Sequence, residues 1–129
     1  MRQRGFTLIE MLIVVALVGI LASLAAVRLR DAPRRAREAV LREDLYILRQ
    51  LLDQYYADKQ EYPADLATLV TEGYIRAIPA DPMTGSAESW TTEYEDQSDE
   101  PEAKSAPGVV NVRSGSDGTA LDGTLYSDW

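Results

Sequence analysis

From Phe6 to Val27 the chain is apolar almost without interruption, FTLIEMLIVVALVGILASLAAV, and Glu10 is its one charge. As a helix rising about 1.5 Å per residue, this run reaches about 33 Å, enough to cross a hydrocarbon core of about 30 Å. A secretory signal is the competing reading. Its apolar core is ordinarily about 7–15 residues long and ends at a small-x-small cleavage site. Here the run is longer and passes into a charged helical segment, so a retained anchor is preferred. Pro33 then interrupts the pattern and pushes the residue before it away from the α region, which predicts a kink or break near Arg30–Pro33 with the helix resuming at once. Between Arg34 and Lys59 there is no Gly or Pro, and Leu41, Leu45, Leu48, Leu52 and Tyr55 recur at spacings of 4, 3, 4 and 3. That is one face of an amphipathic helix, with Arg42, Glu43, Arg49, Gln50 and Asp53 largely off the stripe.

Beyond Tyr62-Pro63 a short second helix is predicted. Asp65 caps it, Leu66, Leu69 and Val70 form its inner side, and Gly73 stops it. Ile78-Pro79-Ala80-Asp81-Pro82 reads as a rigid extended turn. Trp90–Tyr94 and Val109–Val112 have strand composition. The acidic stretch between them, with Glu93, Glu95, Asp96, Asp99, Glu100 and Glu102 in and beside it, reads as a solvated hairpin loop. The segment Ser114–Trp129 is rich in Gly and Asp yet ends in aromatics. Aromatics are scarce in disordered chains, so an ordered, irregular loop pinned by Tyr126 and Trp129 is expected. Together these elements predict an α+β fold: a long N-terminal transmembrane and amphipathic helix packed on a small antiparallel β-sheet head with an irregular C-terminal loop.

Charge divides the 129-residue chain. Residues 1–52 carry nine Lys/Arg against five Asp/Glu, and residues 53–129 carry four against sixteen. The acidic half lacks a basic aromatic patch, which argues against nucleic-acid binding by the head. The cluster Arg28, Arg30, Arg34, Arg35 and Arg37 directly follows the apolar run, a placement suited to anionic lipid headgroups. Counted by the positive-inside rule, these five arginines outweigh Arg2 and Arg4 and put the N-terminus outside. The chain has no Cys and no His. Disulfides, thiol chemistry and the commonest general base and zinc ligand are thereby excluded. With no nucleophile elbow either, no enzyme activity is expected. A small head without disulfides needs another staple, and a metal ion is one candidate.

Arg4-Gly5-Phe6-Thr7-Leu8-Ile9-Glu10, standing at the head of an apolar span, resembles the prepilin processing site of type IV pilins and type II secretion pseudopilins. The resemblance implies cleavage after Gly5 by a membrane aspartyl peptidase, the prepilin peptidase, and methylation of the new N-terminal residue Phe6. It also implies a cytoplasmic N-terminus in the bacterial inner membrane with the head in the periplasm, against the arginine count. The organisation expected is a cleaved leader over 1–5, a transmembrane helix and juxtamembrane segment over 6–32, and a periplasmic head over 33–129. Glu10 has a physical reading of its own. A carboxylate in the bilayer costs about 2.5–3.5 kcal/mol on insertion scales and is kept with a partner. The Phe6 ammonium of a neighbouring copy is that partner on the filament reading; snorkelling to the interface is the bland alternative. Gly19, Ala22, Ser23 and Ala26 fit close helix packing and fit ordinary span composition equally well.

Tyr62-Pro63, Gly73-Tyr74-Ile75, Ile78-Pro79, Asp81-Pro82, Ser114-Gly-Ser-Asp-Gly118 and Trp129 extend the resemblance to the major pseudopilin of type II secretion over almost the whole chain. That family holds a structural Ca²⁺ in its closing loop. Asp117 falls on a family ligand position. The later acidic pair falls at Thr124 and Leu125, which lack carboxylates, so Asp122 is taken as substitute, with Ser114 as a further oxygen. Asp-Gly spacing with hydroxyls and free carbonyls suits a hard cation, and Asp-Gly is also a common turn. Asp128 reads equally as a solvated charge. The implied role is a structural filament subunit driving exoprotein export, with further copies, minor pseudopilins, an inner-membrane platform protein and membrane lipid as partners. A type IV pilus major pilin is the runner-up, although many carry a disulfide loop that the lack of Cys excludes. A membrane-tethered Ca²⁺-dependent binding module, which needs no cut at Gly5 and no role for Glu10, is the reading from another class.

Overall fold

Long stretches of strong helix formers dominate the first half of the chain. The computed structural model, which describes residues 5–96 and 106–129, accordingly begins with one helix, α1, over Leu8–Lys59. The expected break at Pro33 is absent, because α1 runs through it. Proline removes a single backbone donor, and Ala32, Arg34, Arg35, Ala36 and Arg37 around it all favour helix. The helix therefore closes over the missing bond. It ends at Gln60, whose φ of 61° is left-handed and whose side-chain amide donates to the Ala57 carbonyl at 3.2 Å. That contact satisfies one of the carbonyls a helix end leaves open.

The chain divides into two units, Met1–Arg35 and Ala36–Trp129. In the first, the apolar side chains face outward, with Leu8 85% and Leu24 65% exposed. This part of α1 is long and apolar enough to cross a membrane. The Ser23 hydroxyl donates to the Gly19 carbonyl at 2.8 Å, which satisfies a polar group that hydrocarbon would leave unpaired.

The second unit is built on the predicted stripe. Leu41, Leu45, Leu48, Leu52 and Tyr55 are all buried, in one cluster with Leu69, Trp90, Val109, Val112, Ala120 and Tyr126. Helix α2 spans Leu66–Thr71. Its cap is Asp65, whose carboxylate accepts from the Thr68 N–H and hydroxyl, both at 2.8 Å. Gly73 follows at φ 81°, turning the chain so that Tyr74 and Ile75 donate back to the Leu69 carbonyl.

Strands β1 (Thr91–Tyr94) and β2 (Val109–Arg113) form an antiparallel pair. Strict alternation would put Val109 and Val112 on opposite faces, since they are three apart. Both are buried, because the register shifts between Glu93 and Tyr94. Such a bulge inserts one residue and restores the face. The α+β architecture read from the pattern is the one observed.

Candidate functional site

Two regions carry the candidate residues, and each is organised locally. At the start of α1, Thr7 caps the helix, its hydroxyl accepting from the Glu10 N–H at 3.3 Å. Thr7-Leu8-Ile9-Glu10 has the spacing of a capping box, which the apolar run concealed. It puts a carboxylate in the first turn, where the helix dipole favours negative charge. Phe6 is 78% exposed. Gly5 needs no special conformation, and a methyl added there meets nothing within 4 Å. Nothing inside the described chain therefore calls for glycine at position 5. Arg4 and Arg2 lie outside the described residues, as do Asp99, Glu100 and Glu102 of the acidic run.

The closing loop is tied to α1 by polar side chains of the helix. Glu38 is buried and accepts from the Leu121 N–H at 2.9 Å and the Tyr126 hydroxyl at 2.8 Å. Its place three residues before Leu41 continues the stripe, a signal that its charge hid. Arg49 donates to Asn111 Oδ1 (2.9 Å) and to the carbonyls of Val112 (2.9 Å) and Trp129 (2.7 Å). Asn111 in turn donates to Glu93 at 2.8 Å, and Arg113 pairs with Glu93 at 2.6 Å. These contacts, the Asn111 hydrogen bond first, hold the Glu93 carboxyl below the usual carboxylate range. Glu93, expected with the acidic run on a solvated loop, thus belongs to the sheet, whereas Glu95 and Asp96 beyond β1 are exposed.

The three residues proposed for a cation stand in different surroundings. Ser114 is buried; its hydroxyl donates to Asp81 Oδ2 at 2.6 Å and its oxygen accepts from Ser116 N–H at 3.2 Å. Asp81, fully buried, also accepts from the Met83 and Gly115 N–H groups. Asp122 is exposed, and its Oδ1 accepts from the Thr124 N–H (3.0 Å) and hydroxyl (2.6 Å). Its Oδ2 lies 3.6 Å from the Arg42 guanidinium. The Thr124 bonds, and behind them Arg42, lower its pKa. Arg42 stacks 4.2 Å over the Trp129 ring, which packs edge-on against Tyr126 and donates to Thr124 at 2.7 Å. Asp117 is exposed. Of the three, Asp117 is the exposed carboxylate with no hydrogen bond or ion pair among the described residues, Asp122 has Oδ1 on Thr124 and Oδ2 beside Arg42, and Ser114 is hydrogen-bonded to Asp81 and Ser116. Among the described residues, no group of three or more His, Cys, Asp or Glu converges, so carbonyl oxygens would have to complete any shell.

Residues 1–26 match the prokaryotic N-terminal methylation motif. The chain is 34% identical over 110 residues to type II secretion system core protein G of Pectobacterium carotovorum subsp. carotovorum, covering 73% of this chain and 66% of that protein. It is 34% identical to the Klebsiella pneumoniae protein of that name, covering 73% and 74%. To the Pseudomonas aeruginosa one it is 33% identical over 97 residues, covering 63% and 68%. The chain thus spans about two thirds of the length of the relatives it matches. No solved structure matches it.

Proposed function

The chain belongs to the type II secretion system core protein G family, and we propose that it is a structural subunit of the pseudopilus, polymerising in the periplasm to drive exoprotein export. Membership together with the methylation motif implies a membrane anchor, processing by a prepilin peptidase and assembly into a filament. The relatives' names favour secretion over the type IV pilus alternative.

The observation that carries this reading is the junction at the start of α1. Among the described residues nothing calls for glycine at position 5, and Gly5 stands exposed just before a capped, outward-facing apolar helix. A peptidase that must seat the backbone closely accounts for that glycine. After the cut, Thr7 still caps the helix, and Phe6 presents a cation at its end. Glu10 then pairs with the Phe6 ammonium of the next copy. Each charge offsets the other's burial, and the meeting point sets the axial step between subunits. Such a subunit has no substrate chemistry of its own.

The cleaved leader 1–5, the inner-membrane location and the cytoplasmic N-terminus belong to the same proposal, with minor pseudopilins and a platform protein as assembly partners. A structural Ca²⁺ is proposed on Asp117 and Asp122. Ser114 holds the loop base by donating to Asp81, and its hydroxyl oxygen keeps a second lone pair that could face the ion. When bound, the ion would lend rigidity to the loop.

Glu10→Ala tests the central step. The variant should reach the membrane and be processed to a Phe6 start by mass analysis, yet yield no cross-linked multimers or filaments. Normal filaments from it would remove the pairing.

A further inference from the structure

Five of the chain's eleven arginines fall between residues 28 and 37, with Asp31 the one acid among them. Arg30, Arg35 and Arg37 are exposed and make no hydrogen bond or ion pair among the described residues. Arg34 is exposed as well, but it is engaged within the chain. Cations of one sign packed this closely repel one another unless anions surround them.

Because α1 is helical through this segment, the positions are set by helical geometry. Arg30 stands about 4.5 Å beyond Val27 along the axis, Arg35 about 12 Å and Arg37 about 15 Å. The headgroup layer is about 5–7 Å deep on each side of the hydrocarbon core. Arg30 therefore falls inside it, and Arg35 and Arg37 lie within a Debye length of about 8–10 Å from it. At about 100° per residue, Arg30, Arg34 and Arg37 share one side of the helix, within about 60° of one another, and Arg35 lies about 140° round from Arg30. A protein partner docks on one side of a helix, whereas headgroups surround it. All five are arginine rather than lysine, and the planar guanidinium matches a phosphate with two parallel hydrogen bonds.

We propose that Arg30, Arg35 and Arg37 form a collar that binds anionic phospholipid headgroups of the phosphatidylglycerol type, on the membrane face from which the head emerges. The collar rests on the membrane anchor of the reading above but is independent of the filament. It also accounts for five arginines on the side the positive-inside rule disfavours: bound anions offset their charge.

The full chain, reconstituted in phosphatidylcholine vesicles containing phosphatidylglycerol as a minor component, is probed with spin-labelled lipids of both classes. The motionally restricted fraction should favour phosphatidylglycerol about fivefold at low salt, and less at 0.5 M (about a 4 Å Debye length). The variant Arg30→Gln/Arg35→Gln/Arg37→Gln should lose most of that preference, and the triple Lys variant should keep part of it. Restricted lipid without selectivity in the wild type overturns the collar and leaves the anchor standing. Absence of restricted lipid removes both. A salt-sensitive association of copies in pure phosphatidylcholine that the triple Gln variant abolishes, without lipid selectivity, assigns the arginines to the acidic head of a second copy and overturns the proposal.

Discussion

Asp44 and Glu93 show how neighbours set the sign of a carboxylate's contribution. Burial first, then the charges of Asp81 and Glu43, raises the Asp44 pKa. A carboxyl whose folded pKa exceeds its unfolded value of about 3.9 binds its proton more tightly when folded, so it detracts from stability as pH rises through that range. Asp44→Asn should therefore raise the melting temperature of a fragment spanning 36–129 at pH 7, with the gain gone at pH 3. Glu93 has the opposite sign, since the Asn111 and Arg113 contacts lower its pKa. Its stabilisation is present above about pH 4.3 and lost as pH falls through the folded value. Glu93→Gln should thus destabilise the fragment at pH 7 and not at pH 2, in the same melts. Gly115 belongs to this scale too. A Cβ there would lie 1.8 Å from the Ser89 carbonyl oxygen, so one glycine of the Ser114-Gly-Ser-Asp-Gly118 segment is explained by close backbone approach, without an ion.

At the scale of elements, Arg49 joins α1 to β2 and to the Trp129 carbonyl through three hydrogen bonds. Arg49→Ala should cost about 2–3 kcal/mol, since two carbonyls lose a charged donor. Arg49→Lys should recover less than half, because an ammonium cannot fork between strand and loop. Denaturant unfolding of the 36–129 fragment measures both. Sequence spacing predicted the stripe that α1 buries and the cap of α2, because helical periodicity is a property of neighbours along the chain. It put Arg49 off the stripe, since nothing local announces that a strand sixty residues later will offer carbonyls. It also over-read Pro33, whose local preference lost to the helix formers around it.

For the molecule as a whole, the closing loop is held by Glu38, Arg42 and Arg49 from α1, and the proposed calcium ion would add to that hold. Calcium added to the metal-free 36–129 fragment should raise its melting temperature by several degrees, as binding to the folded state alone stabilises by mass action. Chelator should reverse the shift, and Asp117→Ala should abolish it. Arg42→Gln should strengthen the response, because the guanidinium competes for Asp122. A melting temperature indifferent to calcium would remove the ion and leave the loop to its protein contacts. The processing and register roles proposed for Gly5, Phe6 and Glu10 would be expressed between molecules, and a single chain displays only their exposure.

What the amino-acid order determined by itself was whatever depends on near neighbours: the membrane-length apolar run, the buried leucine stripe, the two strands, the aspartate cap and the processing motif. What tertiary structure alone decided was the use of polar groups distant in sequence. It made Glu38 a core anchor, Asp81 the buried acceptor of the Ser114 hydroxyl, and Glu93 part of a sheet network. The reason is physical. Apolar burial is indifferent to direction and leaves a periodic trace, whereas a buried charge is tolerated only where the fold brings specific donors within about 3 Å.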